Sequence, residues 1–505
     1  MVEAGQLGII AALLDARRYP HPSGSVLLFE THVSWVLLAG RYAYKIKKAI
    51  HPEFLDFRKL DDRKFFCDEE IRLNGRLAPE IYIEVVPIGG SSSDPVIGKI
   101  PAIEYAVKMW RFDPERTLDK LLEKGKLHPY HVDRLAKKIA LFHENLAPAS
   151  PDSGFGSGLL EVARASFREL RKHWGEGLSA LEGAIETEHE KNLDCFAERL
   201  EKGYVRECHG DLHLGNIALM DEEPVPFDGI EFDKNLRWID VANEIAFPVM
   251  DLVYHGRSDL AWRLLNSYLE ITGDYSGMQV FRFYFACRAL VRAMVDAMRD
   301  DKASAKRHLD LASESLFPPH PFLIVTCGLP GSGKTTLSQH ILERHGAIRL
   351  RSDLERKRLA GLKPLDKSGS PVDSGIYAGD FSEAVYSHLL ALAKLLLESG
   401  YPVIVDAAFL EKSERRRFET MAAEHCVPFA IAALKASRQT LMSRILSREN
   451  DASEAGIDVL DAKEKSSEPL DGEELHHVAE FSESVAQWDR LLAIIGKRAP
   501  VSLPG

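Results

Sequence analysis

The sequence contains no run of about 18 consecutive apolar residues, the length a helix needs to cross a hydrocarbon core, so no bilayer-spanning helix is expected. Cysteine is scarce. The six are Cys67, Cys195, Cys208, Cys287, Cys327 and Cys426, and no two form a C-x-x-C pair. Zinc-ribbon and thioredoxin-type chemistry therefore find no support, and reduced thiols in a cytoplasmic protein are expected. There is no excess of positive charge: 64 Lys and Arg against 76 Asp and Glu leave a net charge of −12. That argues against a surface that binds nucleic acid as a whole, while leaving room for a local basic cleft. The N-terminal stretch has no basic residue ahead of its apolar segment and breaks at Asp15-Ala16-Arg17-Arg18, so it reads as a short helix rather than a signal peptide. Internal repeats and long low-complexity segments are also missing.

What remains is a chain of 505 residues, 45% apolar and 28% charged, the balance of a globular protein with length for two to four domains. The clearest boundary is Leu316-Phe317-Pro318-Pro319-His320-Pro321, where prolines end a helical pattern. The chain is divided there into 1–318 and 319–505. Residues 25–110 read as strand-rich, with Gly40 where a hairpin must turn and a helix at about 58–77. Beyond about 115 the pattern is mostly helical to about 314, interrupted by a loop-and-strand region at 204–233. This gives a small lobe at about 20–112 and a helical lobe at about 113–318. After 319, strands alternate with helices, the grammar of a three-layer α/β domain with a parallel sheet.

Two separate motifs carry chemistry. Gly328-Leu329-Pro330-Gly331-Ser332-Gly333-Lys334-Thr335 follows an apolar strand and has the form G-x-x-x-x-G-K-[ST], a P-loop. Gly328, Gly331 and Gly333 let backbone N–H groups wrap a phosphate, with Ser332 and Thr336 in the same loop and helix start. Lys334 neutralises β/γ charge, and the Thr335 hydroxyl reaches magnesium. Upstream, His209-Gly210-Asp211 leads to Asn216 five residues beyond the aspartate, and Phe227-Asp228-Gly229 follows. One tight turn aims Asp211 and Asn216 into one cleft, and Asp228 arrives where a second metal ligand is required. On the strand Tyr42–Lys47, alternation puts Ala43, Lys45 and Lys47 on one face.

The loop from His209 to Asn216 resembles that of the aminoglycoside phosphotransferase-like kinases, within a bilobal protein-kinase-like α+β outline. The resemblance implies Asp211 as the catalytic carboxylate, Asn216 and Asp228 as magnesium ligands, and His209 and Asp240 as braces. Lys45 is then the lysine for the nucleotide phosphates, with Lys47 as the alternative, and Glu70 its carboxylate partner, with Glu69 as the alternative. The glycine-rich loop of kinases has no counterpart before Lys45, which leaves the phosphate clamp unassigned. The P-loop half resembles the AAA_33 kinases, polynucleotide kinase-like and zeta-toxin-like. That resemblance implies Asp353 as general base, Arg356 as an acceptor-binding cation, Asp406 as a magnesium ligand at the end of a strand, and Arg444 and Arg448 as lid arginines on the phosphates. The segment 449–473 reads as a lid or surface loop. The basic clusters around Arg349–Arg358 and Arg415–Arg417 read as solvated helix faces or as contacts to an anionic acceptor.

The expectation is an ATP-dependent kinase, GTP not being excluded, with magnesium and two phosphotransfer sites. Its acceptors are hydroxyl-bearing, small molecules being favoured over nucleic acid. The alternatives are one kinase domain regulated by a nucleotide-sensing P-loop domain, or a kinase acting on a protein or nucleic-acid hydroxyl.

Overall fold

The computed structural model describes residues 4–51, 56–150, 158–317, 320–364, 366–369, 375–447, 453–454 and 456–496. The chain forms two compact units. The first comprises Met1–Leu178, His189–Asp251 and Cys287–Ala305. The second comprises Ser179–Glu188, Leu252–Ala286 and Lys306–Gly505, so the helices of Leu252–Ala286 belong to the unit that holds the P-loop.

The first unit opens with the helix Ala4–Leu13 and a six-stranded antiparallel sheet: β1 (Leu27–Glu30), β2 (Ser34–Ala39), β3 (Tyr42–Lys47), β4 (Tyr82–Ser91), β5 (Asp94–Ile97) and β6 (Ala102–Trp110), in the order β1-β2-β3-β6-β4-β5. Gly40 closes the β2–β3 hairpin at φ +60°, and a Cβ there would lie 2.3 Å from the Pro22 carbonyl oxygen. Period-two alternation sorts β3 between two cores. Tyr44 and Ile46 pack with Ile9, Leu13 and Trp35 on one face, and Ala43 packs with Cys67, Val107 and Met109 on the other.

That second face receives the helix Leu60–Asn74, which buries Arg63, Cys67, Glu70, Leu73 and Asn74 while Phe65 stays exposed. Its inward stripe is therefore partly charged. Arg63 makes a two-bonded ion pair with Glu104 on β6 at 2.9 Å, and Glu70 meets lysines of β3. In the helical part, β7 (Val205–Glu207) pairs with β10 (Trp238–Asp240). Between them β8 (Ile217–Met220) and β9 (Glu223–Pro226) form a hairpin whose turn residues, Asp221 and Glu222, both have positive φ, as a two-residue turn of this twist demands.

The second unit is built on a five-stranded, wholly parallel sheet: β11 (Leu323–Cys327), β12 (Ile348–Arg351), β13 (Val403–Asp406), β14 (Phe429–Leu434) and β15 (Val478–Phe481), in the order β12-β13-β11-β14-β15. The central strands are continuous apolar runs because helices cover both faces. The edge strand β12 is flanked by the helix Ser258–Thr272. There the Asn266 side chain donates to the Ala347 carbonyl at 2.9 Å and accepts from the Arg349 N–H at 2.7 Å, occupying the place of a neighbouring strand. Trp262 of the same helix lies against Gly346.

Two features differ from the sequence reading. The strand β15 and the helix Trp488–Ile494 complete the sheet's far side. Within the segment read as a lid or surface loop, Ile457–Ser466 is a helix that buries Leu460 against Leu441 and Ile445. Among the described residues no helix is long and apolar enough to cross a membrane.

Candidate functional sites

In the first unit the loop 209–216 is held from below by backbone hydrogen bonds. Both carboxylate oxygens of buried Glu244 accept from it, from His209 N at 2.6 Å and Gly210 N at 3.0 Å. Arg288 donates to the Gly210 carbonyl at 2.9 Å, and Asp251 accepts from Leu214 N at 2.8 Å. Gly210 has φ +87°, and a Cβ would meet the Leu236 carbonyl at 2.6 Å, so only glycine fits. His209 ties the loop to the next segment through Nε2 and the Phe227 carbonyl, 2.9 Å apart.

On this scaffold Asn216 donates through Nδ2 to Asp211, 3.0 Å to the carbonyl and 3.1 Å to Oδ2. Its amide oxygen is thereby left for another partner. Asp228, at φ +63°, donates its N–H to the Tyr82 hydroxyl and turns its carboxylate to Lys45.

Lys45 Nζ bonds both Glu70, at 2.8 Å, and Asp228. Lys47 Nζ bonds the other oxygen of Glu70, at 2.7 Å, and also Glu231. Glu70 is fully buried and its carboxylate spans both ammonium groups. Burial alone would push Glu70 up, but the two lysines outweigh it and hold the carboxyl below its usual range. The partly desolvated position of Asp228 opposes its ionisation, and Lys45 outweighs that and holds the carboxyl below its usual range. Both lysines are held protonated against burial by the carboxylates around them.

Glu69, the alternative partner, instead pairs with the exposed Arg72 and the buried Arg237. Asp240 makes a buried pair with Arg199 and caps the following helix through Ala242 N. Glu231 escaped the sequence reading. Its one signal is a charge between two apolar residues, Ile230 and Phe232.

In the second unit β11 runs into the P-loop and the helix Lys334–His345. Gly331 and Gly333 have φ +83° and +100°. A Cβ on Gly328 would lie 2.8 Å from the Leu434 carbonyl. Lys334 Nζ donates to the Gly328 and Leu329 carbonyls at 2.9 and 3.0 Å, curling across the loop, and Thr335 and Thr336 are exposed at the helix start. The N–H groups and dipole of that helix favour an anion at this spot.

Because the sheet is parallel, Asp406 at the end of β13 lies level with Arg351 at the end of β12, on the carboxyl edge that the P-loop leaves. Asp353 follows immediately, half-buried in the first turn of the helix Ser352–Leu359. Asp406 Oδ2 is 3.1 Å from Ser338 Oγ on the P-loop helix. Arg444 Nη1 reaches the carbonyls of Gly331 and Ser332 at 3.3 and 3.4 Å. It lines, with Ser332, Thr336, Leu434 and Phe481, a cavity of about 390 Å³ beside the loop. Arg448 lies outside the described residues.

Arg356 is buried, donates to the Ile376 carbonyl and Ser382 Oγ at 2.7 and 3.1 Å, and lies over the Tyr377 ring. The other basic side chains near it are mostly engaged internally. Lys357 pairs with Glu454, Arg415 with Glu474, and Arg349 with Glu270.

The residues named for magnesium offer only oxygen: the Asp228 carboxylate and Asn216 amide oxygen in one unit, the Thr335 hydroxyl and Asp406 carboxylate in the other. That is the donor chemistry of a hard cation kept partly hydrated between carboxylates and phosphates.

A family model described as an AAA domain matches residues 323–470. The chain thus carries a P-loop domain of the AAA_33 kind. It belongs to the same family as the uncharacterized protein Rv2004c of Mycobacterium tuberculosis, to which it is 30% identical over 443 residues, 85% of this chain and 88% of that protein. Among solved structures, the GDP complex of wild-type aminoglycoside 2'-phosphotransferase-IIIa is similar over 62% of this chain and 99% of its own, at 14% identity and a TM-score of 0.37. A gluconokinase from Sinorhizobium meliloti is similar over 35% of this chain and 92% of its own, at 19% identity and a TM-score of 0.26.

Proposed function

We propose that the chain is an ATP-dependent phosphotransferase with two kinase-type sites, divided near residue 319, each moving a γ-phosphoryl group to a hydroxyl of a small molecule. The observation that carries the reading is Lys45, whose ammonium joins Glu70 of the helix Leu60–Asn74 to Asp228, a residue far along the chain that follows the Asp211–Asn216 loop. A buried lysine placed by one carboxylate and aimed at a second, half-exposed one is an arrangement for receiving a triphosphate and its cation.

In the first site Asp211 faces the acceptor hydroxyl and takes its proton as the acceptor oxygen bonds to the γ-phosphorus and the bond from that phosphorus to the bridging oxygen breaks, the electron pair leaving with ADP; Asn216 fixes the carboxylate's orientation. Magnesium, when bound by Asp228 and Asn216, offsets charge on the phosphates. Lys45 moves from Asp228 toward the phosphate oxygens while keeping Glu70. In the second site the P-loop N–H groups, Lys334 and Arg444 hold the triphosphate, and Thr335 and Asp406 hold its cation. Asp353 orients the acceptor, and Arg356 fixes the segment 375–382 beside it.

The test uses γ-labelled ATP and a panel of polyols, amino alcohols and sugars. Label should reach an acceptor, and Asp211→Asn and Asp353→Asn should each remove transfer from one site. Undiminished labelling in the double variant would defeat the assignment. Loss from Asp211→Asn alone would favour the reading in which the P-loop domain senses nucleotide.

A further inference from the structure

The helix Ser258–Thr272 does more than cover the edge of the parallel sheet. Near its C-terminus Glu270 accepts from Arg349 Nε at 2.7 Å and lies 2.7 Å from Nη2, while its second oxygen is 3.6 Å from Arg351. Arg349, buried in the middle of β12, extends its remaining nitrogen Nη1 to the Thr335 carbonyl and to Ser338 Oγ, both at 3.3 Å. Ser338 Oγ in turn lies 3.1 Å from Asp406 Oδ2 and 3.1 Å from the Thr335 carbonyl, its single proton serving one at a time. Three side chains, Glu270, Arg349 and Ser338, thus run from an element outside the P-loop sequence to Asp406 and to the backbone of Thr335, the two residues assigned to the cation.

We propose that Glu270 is a positioning residue for the cation end of the P-loop site, acting through Arg349 and Ser338 on Asp406 and Thr335; this rests on the P-loop reading above. A buried guanidinium must have a counter-charge. Glu270 supplies it and draws Arg349 toward the helix, so Arg349 meets the Asp406 side only through a neutral hydroxyl. Without Glu270 the carboxylate one hydroxyl away, Asp406, becomes the counter-charge, and its attraction for a divalent cation is spent on the arginine.

The experiment titrates the full chain with ADP by calorimetry across a series of magnesium concentrations, taking as the P-loop contribution the part lost in Lys334→Ala. Glu270→Gln should raise the magnesium needed for half-maximal ADP affinity about tenfold, the scale of one charge-assisted hydrogen bond. Ser338→Ala should act in the same direction. The double variant should show little beyond the larger single effect, because both act on one relay. Arg263→Ala removes another ion pair of the same helix, with Glu343 at 2.8 Å, and should lower thermal stability without moving the magnesium requirement.

An unchanged requirement in Glu270→Gln, one matching Arg263→Ala, or additive effects in the double variant would overturn the proposal. Should Glu270→Gln fail to fold, Ser338→Ala alone decides, and an unchanged requirement there overturns it too. If Lys334→Ala loses none of the ADP binding, the P-loop reading itself falls, a result distinct from all of these.

Discussion

Lys47 and Glu70 form an ion pair of 2.7 Å in which the two side chains are 1% and 0% exposed. The same carboxylate serves Lys45, which the exposed part of the cleft can still reach. The two neighbouring lysines of β3 thus have different tasks. Lys47, itself held by Glu231, fixes Glu70 from the inner side, and Lys45 presents its charge to Asp228.

Lys45→Met and Lys47→Met should therefore differ in kind. Lys45→Met should lower kcat/KM of the first site by at least about a hundredfold, as expected when a transition-state charge partner is lost. Lys47→Met leaves Glu231 buried without its lysine and should cost about 3 kcal/mol of stability. Steady-state kinetics and denaturant unfolding separate the two outcomes.

Gly210→Ala should abolish transfer at the first site, because the loop cannot keep φ +87° or its approach to Leu236 once a Cβ is present. Nucleotide binding at the P-loop should persist. A γ-labelled ATP transfer assay checks the first statement, and isothermal titration with nucleotide before and after the substitution checks the second.

Arg444→Ala should weaken ATP binding at the P-loop about tenfold, the value of one charged contact to a phosphate. The overall fold should be unaffected, since among the described residues the guanidinium bonds only two loop carbonyls. Comparing Kd for ATP with the unfolding temperature tests this.

Glu414 gives a pH prediction. Burial, and then the neighbouring Glu411, push its carboxyl up to about 7 from an ordinary 4.5. The folded state keeps a proton there that the unfolded chain has released. This contribution to stability is therefore fully present below about pH 4.5 and is lost as pH rises to about 7. Glu414→Gln should flatten that part of the stability profile and gain at most about 3 kcal/mol over the parent at pH 8 relative to pH 5. Unfolding in urea at the two pH values measures it.

The parts of each site set by local chemistry were legible in the chain. Alternation along β3 placed Lys45 and Lys47 on one face, and the P-loop glycines and the Asp211–Asn216 spacing named themselves. The helix Leu60–Asn74 was harder, because it buries Arg63 and Glu70 instead of a clean apolar stripe, and one of its two phenylalanines, Phe65, faces solvent. Glu231 and the Glu270–Arg349 pair were not legible. Each is joined to its partner across a long sequence separation, and the sign in the sequence is only a charge set among apolar residues, as in Ile348-Arg349-Leu350. Such a charge announces burial with a partner, without saying which. The basic runs near Arg349 and Arg415 were read as solvated or acceptor-facing, yet most of their members are spent on internal carboxylates.

The Asn266 amide that substitutes for a sixth strand has a practical consequence. A polypeptide beginning after residue 319 would keep every P-loop residue yet lose the helix that occupies the open margin of β12. The bare N–H and C=O groups of Ile348–Arg351 would then be offered to any extended chain nearby, an invitation to intermolecular strand addition. Extending the fragment back to residue 252 would keep that margin closed.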